Sequence, residues 1–253
     1  MRKIFEFFYT LYFLIGAFVY IVIYGAIVLF VGFFIGLFNK EVSRRFVVKQ
    51  IEIFGKMTFK LLGIKVHVFG KKPKIDENYI VVSNHQSALD IPLIIGFVEP
   101  VAFIAKKELG KIPGINWFLK YLRSVLIDRG NVRKTAMSLK EVIRKLNEGV
   151  HFVLFPEGTR SFDGKVLDFK NRSLEIAYKY KIKILPISIW GAHKVLRKKS
   201  LFIKRHPIYI KIHDLVDPNI FDSEKALREY VKSVISKGVE DFERRILDEK
   251  GDN

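Results

Sequence analysis

The sequence predicts an α/β domain with a mostly parallel central sheet flanked by helices, preceded by a hydrophobic and then amphipathic helical segment. Three observations carry this prediction. After Gly63, short β-rich runs alternate with helical patterns. Residues 4–38 are apolar apart from a few polar side chains and carry one formal charge, Glu6. Residues 41–62 then repeat apolar side chains at helical spacing, with lysines and arginines on another side.

The first run is too long for a secretory signal, whose apolar core spans about 7 to 15 residues and ends at a small-residue cleavage site. As one straight helix it reaches roughly 50 Å, more than the roughly 30 Å of a hydrocarbon core. Tilt, overhang or a break absorbs the excess, and Gly16, Gly25, Gly32 and Gly36 are the expected break points. Gly32 and Gly36 also form a GxxxG pair, a pattern suited to close helix packing. Arg2 and Lys3 precede the run; Lys40, Arg44, Arg45 and Lys49 follow it. The heavier positive flank assigns the downstream domain to the cytoplasmic face of a membrane. A membrane anchor is expected, and a true span and a re-entrant or interfacial segment both satisfy the pattern.

In residues 41–62 the apolar stripe is Phe46, Val47, Gln50, Phe54, Met57 and Leu61, and the basic one is Arg45, Lys49, Lys56 and Lys60. Such a helix suits an anionic headgroup layer. A helix packed on the domain with a solvated basic edge is the other reading. Residues 1–62 are therefore expected as an attachment motif and residues 63–253 as the α/β domain.

Within that domain β-rich runs fall at 65–69, 79–83, 101–105, 125–128, 151–155, 182–188 and 207–212. Helical patterns lie at 91–97, 115–122, 133–146 and 173–180, and a last one at 223–247 runs from acidic to basic as the macrodipole favours. Strands and helices in alternation argue for a buried, mostly parallel sheet. No repeat or low-complexity linker interrupts it.

Composition narrows the partners. A formal charge of +18 on 253 residues points to an anionic partner. The apolar run favours an anionic phospholipid surface over nucleic acid, which has no use for it. The chain has no cysteine, which excludes disulfides, thiolate metal sites and a cysteine nucleophile.

Two strings carry chemistry: Asn84-His85-Gln86-Ser87-Ala88-Leu89-Asp90 and Phe155-Pro156-Glu157-Gly158-Thr159-Arg160-Ser161. Each follows a predicted strand, at the end where open α/β sheets bind ligands. Histidine has an unperturbed pKa of about 6.5 and serves as a base near neutrality. A carboxylate beside it fixes the ring tautomer and stabilises the imidazolium. His85 and Asp90 can pair if a helix beginning near Ala88-Leu89-Asp90-Ile91-Pro92 turns Asp90 back. Asn84 suits a backbone brace, and Ser83 and Ser87 are the hydroxyls an acyl-enzyme would require. In the second string Gly158 allows close backbone approach, while Thr159 and Arg160 offer a hydroxyl and a guanidinium fork to phosphate. Glu157 suits a substrate hydroxyl or the orientation of Arg160.

Together the strings resemble the glycerolipid acyltransferase signatures N-H-x-x-x-x-D and F-P-E-G-T-R. Further stretches fit: Ser124-Val125-Leu126-Ile127-Asp128-Arg129, Ile184-Leu185-Pro186-Ile187 and Ala105-Lys106-Lys107-Glu108-Leu109. The resemblance runs from about residue 65 to 189. It implies direct transfer of a fatty acyl group from an acyl-CoA or acyl carrier protein thioester to the sn-2 hydroxyl of 1-acylglycerol-3-phosphate. It also implies His85 and Asp90 as catalytic residues, with Arg129, Glu157, Gly158, Thr159, Arg160, Lys106 and Lys170 on the substrate. Where the family often reads Phe-Lys-x-Gly, this chain has Phe169-Lys170-Asn171-Arg172, which exchanges a close-approach glycine for a cation. No metal is expected, because His67, His151, His193, His206 and His213 are scattered. Glycerol-3-phosphate or another lysophospholipid as acceptor, and a non-catalytic basic membrane protein, are the alternatives.

Overall fold

A computed structural model describes residues 2–73, 78–112, 114–128, 132–200 and 202–251. In chain order the elements are α1 (Arg2–Val19), a π-helical turn (Tyr20–Tyr24), α2 (Gly25–Phe38), α3 (Lys40–Leu61), β1 (Val66–Phe69), β2 (Tyr79–Ser83) and α4 (Asp90–Phe97). They continue with β3 (Ala102–Lys106), α5 (Ile115–Tyr121), β4 (Val125–Ile127), α6 (Val132–Asn147), β5 (Phe152–Leu154) and α7 (Glu175–Lys179). The last are β6 (Lys183–Trp190), α8 (Ala192–Val195), β7 (Ile208–Ile212) and α9 (Glu224–Gly251). The strands form within two residues of the expected bounds, and the fold is α/β with a mostly parallel sheet.

Where the sequence suggests a boundary after residue 62, packing groups the chain differently. Met1–Gly63 with Ile91–Phe152 form one compact unit, and Ile64–Asp90 with Val153–Asn253 form the other.

In the first unit β3 and β4 pair in parallel. Within the run the helix departs from α geometry at the Tyr20–Tyr24 turn, next to Gly25, and it ends just beyond the run at Asn39. The Asn39 backbone leaves the helical region (φ −150°, ψ 109°), and its side-chain oxygen caps α3 by accepting from the Glu41 and Val42 amides. Gly32 and Gly36 serve close approach instead. A Cβ on Gly32 would lie 2.7 Å from Val47, and one on Gly36 3.4 Å from the Ser43 hydroxyl. Ser43 Oγ donates to the Gly32 carbonyl at 2.6 Å, so the GxxxG pair packs against α3. Gly55 of α3 and Gly96 of α4 meet still more closely: a Cβ on Gly55 would sit 2.6 Å from the Pro92 carbonyl oxygen.

The buried face of α3 is Ser43, Val47, Ile51, Gly55, Thr58 and Phe59, which shares only Val47 with the expected stripe. Of that stripe Leu61 is exposed, and Phe46, Gln50, Phe54 and Met57 are half-buried. Small residues bring the backbones together, and a count of apolar side chains does not score them. The basic edge is solvated and tied by Glu41 to Arg44 and Arg45, and by Glu52 to Lys49 and Lys56. No helix among the described residues is long and apolar enough to cross a membrane. The outer side chains of α1 and α2 are nonetheless bare, with Phe8, Phe18, Phe30, Phe33 and Leu37 each at least 60% exposed.

In the second unit the strand order is β1-β7-β6-β2. β2 runs parallel to β6 and β1 parallel to β7, while β6 and β7 are antiparallel. β2 is buried along its whole length. α9 lays Leu227, Val231, Ile235, Val239 and Phe242 into the core at near four-residue spacing. It lies close to β6, because Ser188 Oγ donates to the Ile235 carbonyl at 2.9 Å and Gly238 leaves no room there for a Cβ.

Candidate active site

Both signature strings leave the ends of strands, and His85, Asp90 and residues 155–161 all belong to the second unit. β2 ends at Ser83, and Asn84 extends its pairing by side chain. The Asn84 amide donates to the Ile189 carbonyl at 2.9 Å and its oxygen accepts from the Ile189 amide at 2.8 Å. That is the brace expected of it.

The chain then turns through residues 85–89 into α4, whose first residue is Asp90. The Asp90 carboxylate is fully buried. Its Oδ2 accepts from the Gln86 amide at 2.6 Å and the Ser87 amide at 2.8 Å, and lies 2.8 Å from His85 Nδ1. Oδ2 thus already accepts from two backbone amides, and Nδ1 meets the same oxygen as a third donor, so the lone pair of His85 sits on Nε2. Oδ1 has no hydrogen-bond partner among the described residues.

The second string holds His85 from three sides. Glu157 Oε1 accepts the His85 amide at 2.9 Å, and the Ser161 amide donates to the His85 carbonyl at 2.8 Å. Phe155 stacks on the imidazole with centroids 4.2 Å apart and planes 24° apart. The ring retains 18% exposure. A histidine fixed in backbone, ring plane and tautomer, with Nε2 unspent, can accept a proton from a hydroxyl brought to that edge.

Glu157 is 3% exposed, and burial pushes its carboxyl up to about 7 in spite of the backbone N–H groups of His85 and Leu167. It makes no bond to Arg160 among the described residues; its bonded oxygen serves the base. Gly158, Thr159 and Arg160 face outward, with Gly158 at φ +65°, a conformation that favours glycine. The Arg160 side chain is half-buried and has no hydrogen bond or ion pair among the described residues. Lys170 lies over this loop: its Nζ would be 2.6 Å from a Cβ on Gly158. The loop therefore collects cations and a hydroxyl, the groups a phosphate requires.

Arg129 lies outside the described residues. Lys106 closes β3 opposite Ile127, and its side chain is likewise outside them. Both serine hydroxyls are buried and bonded to backbone, Ser83 to the Asn84 carbonyl and Ser87 to that of Leu196. Neither bonds to His85.

Three residues were not foreseen. Phe155 supplies the stacking platform. Gln86 donates to the Gly164 carbonyl at 2.7 Å and meets His193 Nδ1 at 3.0 Å, while burial holds the His193 imidazole down to about 4. Lys198 donates to Thr159 Oγ1 at 2.8 Å and to the Arg160 carbonyl at 2.9 Å. Phe155 and Gln86 stand inside the two signature strings with no role marked for them, and Lys198 stands in the run Arg197-Lys198-Lys199.

An α/β sheet carrying a His-Asp pair beside a cationic loop defines the class, and residues 63–190 match the Acyltransferase family. The chain belongs to that family. More particularly, it is 48% identical to the 1-acyl-sn-glycerophosphate (LPA) acyltransferase PlsC from Thermotoga maritima, a crystal structure that superposes with a TM-score of 0.88 over 96% of this chain and 98% of that one. It is 33% identical over 166 residues to the 1-acyl-sn-glycerol-3-phosphate acyltransferase of Borreliella burgdorferi, covering 64% of this chain and 66% of that protein. Against the enzyme of that name from Cocos nucifera it is 30% identical over 184 residues, covering 72% of this chain and 59% of the other. The matches thus span about three fifths to two thirds of these two relatives.

Proposed function

We propose that this chain transfers a fatty acyl group from a thioester to the sn-2 hydroxyl of 1-acylglycerol-3-phosphate, giving phosphatidate. The observation that carries the reading is the 2.8 Å contact of His85 Nδ1 with the buried Asp90 carboxylate, which leaves Nε2 as the base. Nε2 takes the hydroxyl proton as the oxygen attacks the thioester carbonyl. Asp90 stabilises the resulting imidazolium. As the tetrahedral intermediate collapses, the C–S bond breaks and His85 returns the proton to the leaving thiolate. Direct transfer is favoured because Ser83 and Ser87 spend their hydroxyls on backbone carbonyls. Arg160, Thr159 and Lys170 bind the acceptor phosphate, with Gly158 admitting it close to the backbone. Arg129 and Lys106 are further cations for it. Glu157 acts through His85.

The thioester belongs to coenzyme A or acyl carrier protein, and the chemistry calls for no metal or other cofactor. The exposed aromatic and aliphatic side chains of α1 and α2 support attachment to a membrane, where acceptor and product reside. The flanking lysines and arginines support the cytoplasmic face. The test is product identification. Purified protein in detergent receives acyl-CoA or acyl carrier protein donors with lysophosphatidate, glycerol-3-phosphate or lysophosphatidylcholine. Phosphatidate from lysophosphatidate is expected; faster acylation of another acceptor would reassign the substrate.

A further inference from the structure

The connection from α8 to β7 carries chemistry that the reaction leaves unused. Leu196 and Ile203 bridge antiparallel, the Lys204 amide donates to the Val195 carbonyl at 2.9 Å, and the Ser200 amide donates to that of Arg197 at 3.0 Å. Val195 and Ile203 are buried, so this short hairpin is rooted in the core of its unit. Arg197, Lys199 and Phe202 are turned to solvent. Beside them lies a shallow, open depression of about 600 Å³ lined by Phe162, Arg197, Lys198, Lys199, Ser200 and Phe202. Phe162 is 46% exposed and Phe202 47%. Residues 196–206 hold Arg197, Lys198, Lys199, Lys204 and Arg205 and no carboxylate. Lys198 Nζ stands 4.4 Å over the Phe162 ring.

Two half-bare phenylalanines beside the exposed cations Arg197 and Lys199, which have no ion pair among the described residues, are costly in water and suited to one environment. At a bilayer surface the rings reach the boundary between headgroups and acyl chains, and the cations meet lipid phosphates. A small-molecule site encloses most of its ligand, whereas this depression is open. Lys198 also bonds Thr159 and the Arg160 carbonyl, which makes this face continuous with the loop of candidate phosphate ligands.

We propose that Arg197, Lys198, Lys199, Phe202 and Arg205 with Phe162 form a docking face for an anionic lipid surface, a bilayer contact of the second unit's own, apart from the N-terminal helices. A lysolipid held in that surface then presents its phosphate to the adjoining Arg160 loop. Only this last step rests on the proposed reaction; the docking face stands without it.

The chain has no cysteine, so nitroxide labels can be placed one at a time on the full-length protein. Phe202→Cys and Phe162→Cys, labelled separately, are mixed with vesicles of phosphatidylcholine alone or with phosphatidylglycerol added, without substrate. Folding is checked by circular dichroism, and each label stands in if the other variant fails. On anionic vesicles the label should gain collisions with oxygen and lose them with an aqueous relaxant, with a much smaller change on neutral ones. Arg197→Glu with Lys199→Glu should lower the inserted-to-aqueous ratio at least about thirtyfold, since one surface cation is worth roughly fivefold. A label that stays aqueous while the protein sediments with anionic vesicles overturns the proposal. So does a label immobilised by coenzyme A or acyl carrier protein in detergent and unmoved by vesicles. Because no turnover is measured, absence of acyl transfer would count against the proposed reaction and not against the docking face.

Discussion

The two signature loops solve opposite problems. In residues 84–90 every polar side chain has a bonded partner: Asn84 on β6, Asp90 on two amides and the imidazole, Gln86 on Gly164 and His193, Ser87 on Leu196. In residues 158–160 Thr159 is exposed and bonded to Lys198, the half-buried Arg160 side chain has no partner among the described residues, and Lys170 lies above. Proton transfer needs atoms held to within a fraction of an ångström, and the over-determined His85–Asp90 pair meets that need. Binding a phosphate is a matter of charge, which tolerates looser geometry. Damage to the first loop should therefore appear in kcat, and damage to the second in KM.

The largest contrast comes from Asp90→Asn. The amide cannot accept from His85 Nδ1–H and the two backbone donors as an ionised carboxylate does, so the tautomer that frees Nε2 is lost. We expect kcat to fall about 10²- to 10⁴-fold with little change in acceptor KM. An equal loss through KM would move Asp90 to the binding side of the comparison.

Glu157 stands between the loops, and its effect is on stability. Its folded-state pKa of about 7 lies above the ordinary 4.5, because burial favours the neutral acid. The fold then binds a proton that the unfolded chain has released. This contribution is fully present below about pH 4.5, is lost as pH rises to about 7, and is level above that. Buried His193 and His213, both held down to about 4, act in the opposite sense over an overlapping window. The difference between wild type and Glu157→Gln isolates the carboxyl. Denaturant unfolding should show wild type losing on the order of 3 kcal/mol relative to the variant across that rise. Because Gln keeps an oxygen for the His85 amide, turnover should change no more than a few-fold.

Arg160→Ala should raise the KM for lysophosphatidate by about tenfold or more, since a charged hydrogen bond contributes about 1.5 to 3 kcal/mol. Arg160→Lys should recover part of it, as a point charge without the fork. Lys170→Ala, at an exposed cation, should raise KM only a few-fold and less so at high salt.

How far the sequence reached follows the same division. The strands were legible because each is a short apolar run between turn residues. The His85–Asp90 pair was legible because the two lie five residues apart at a strand-to-helix turn, a local relation that spacing encodes. The bonds that fix His85 from residues 155–161 were not, since Glu157, Phe155 and Ser161 lie about seventy residues onward and only the fold juxtaposes them. Glu157 suited a substrate hydroxyl or the orientation of Arg160 because a carboxylate in a short string carries no mark of burial. The inner face of α3 was missed because Ser43, Gly55 and Thr58 pack by being small. The reversal between β6 and β7 is likewise a tertiary outcome, invisible in two apolar runs.

The most direct test of the central claim is the single-turnover rate of phosphatidate formation by His85→Ala beside wild type, both saturated with lysophosphatidate and acyl donor. If His85 is the base, the variant should retain its fold and lysophosphatidate affinity and lose at least about 10²-fold in rate. An unchanged rate at saturation would contradict the mechanism, and the His85–Asp90 pair would then serve the fold alone.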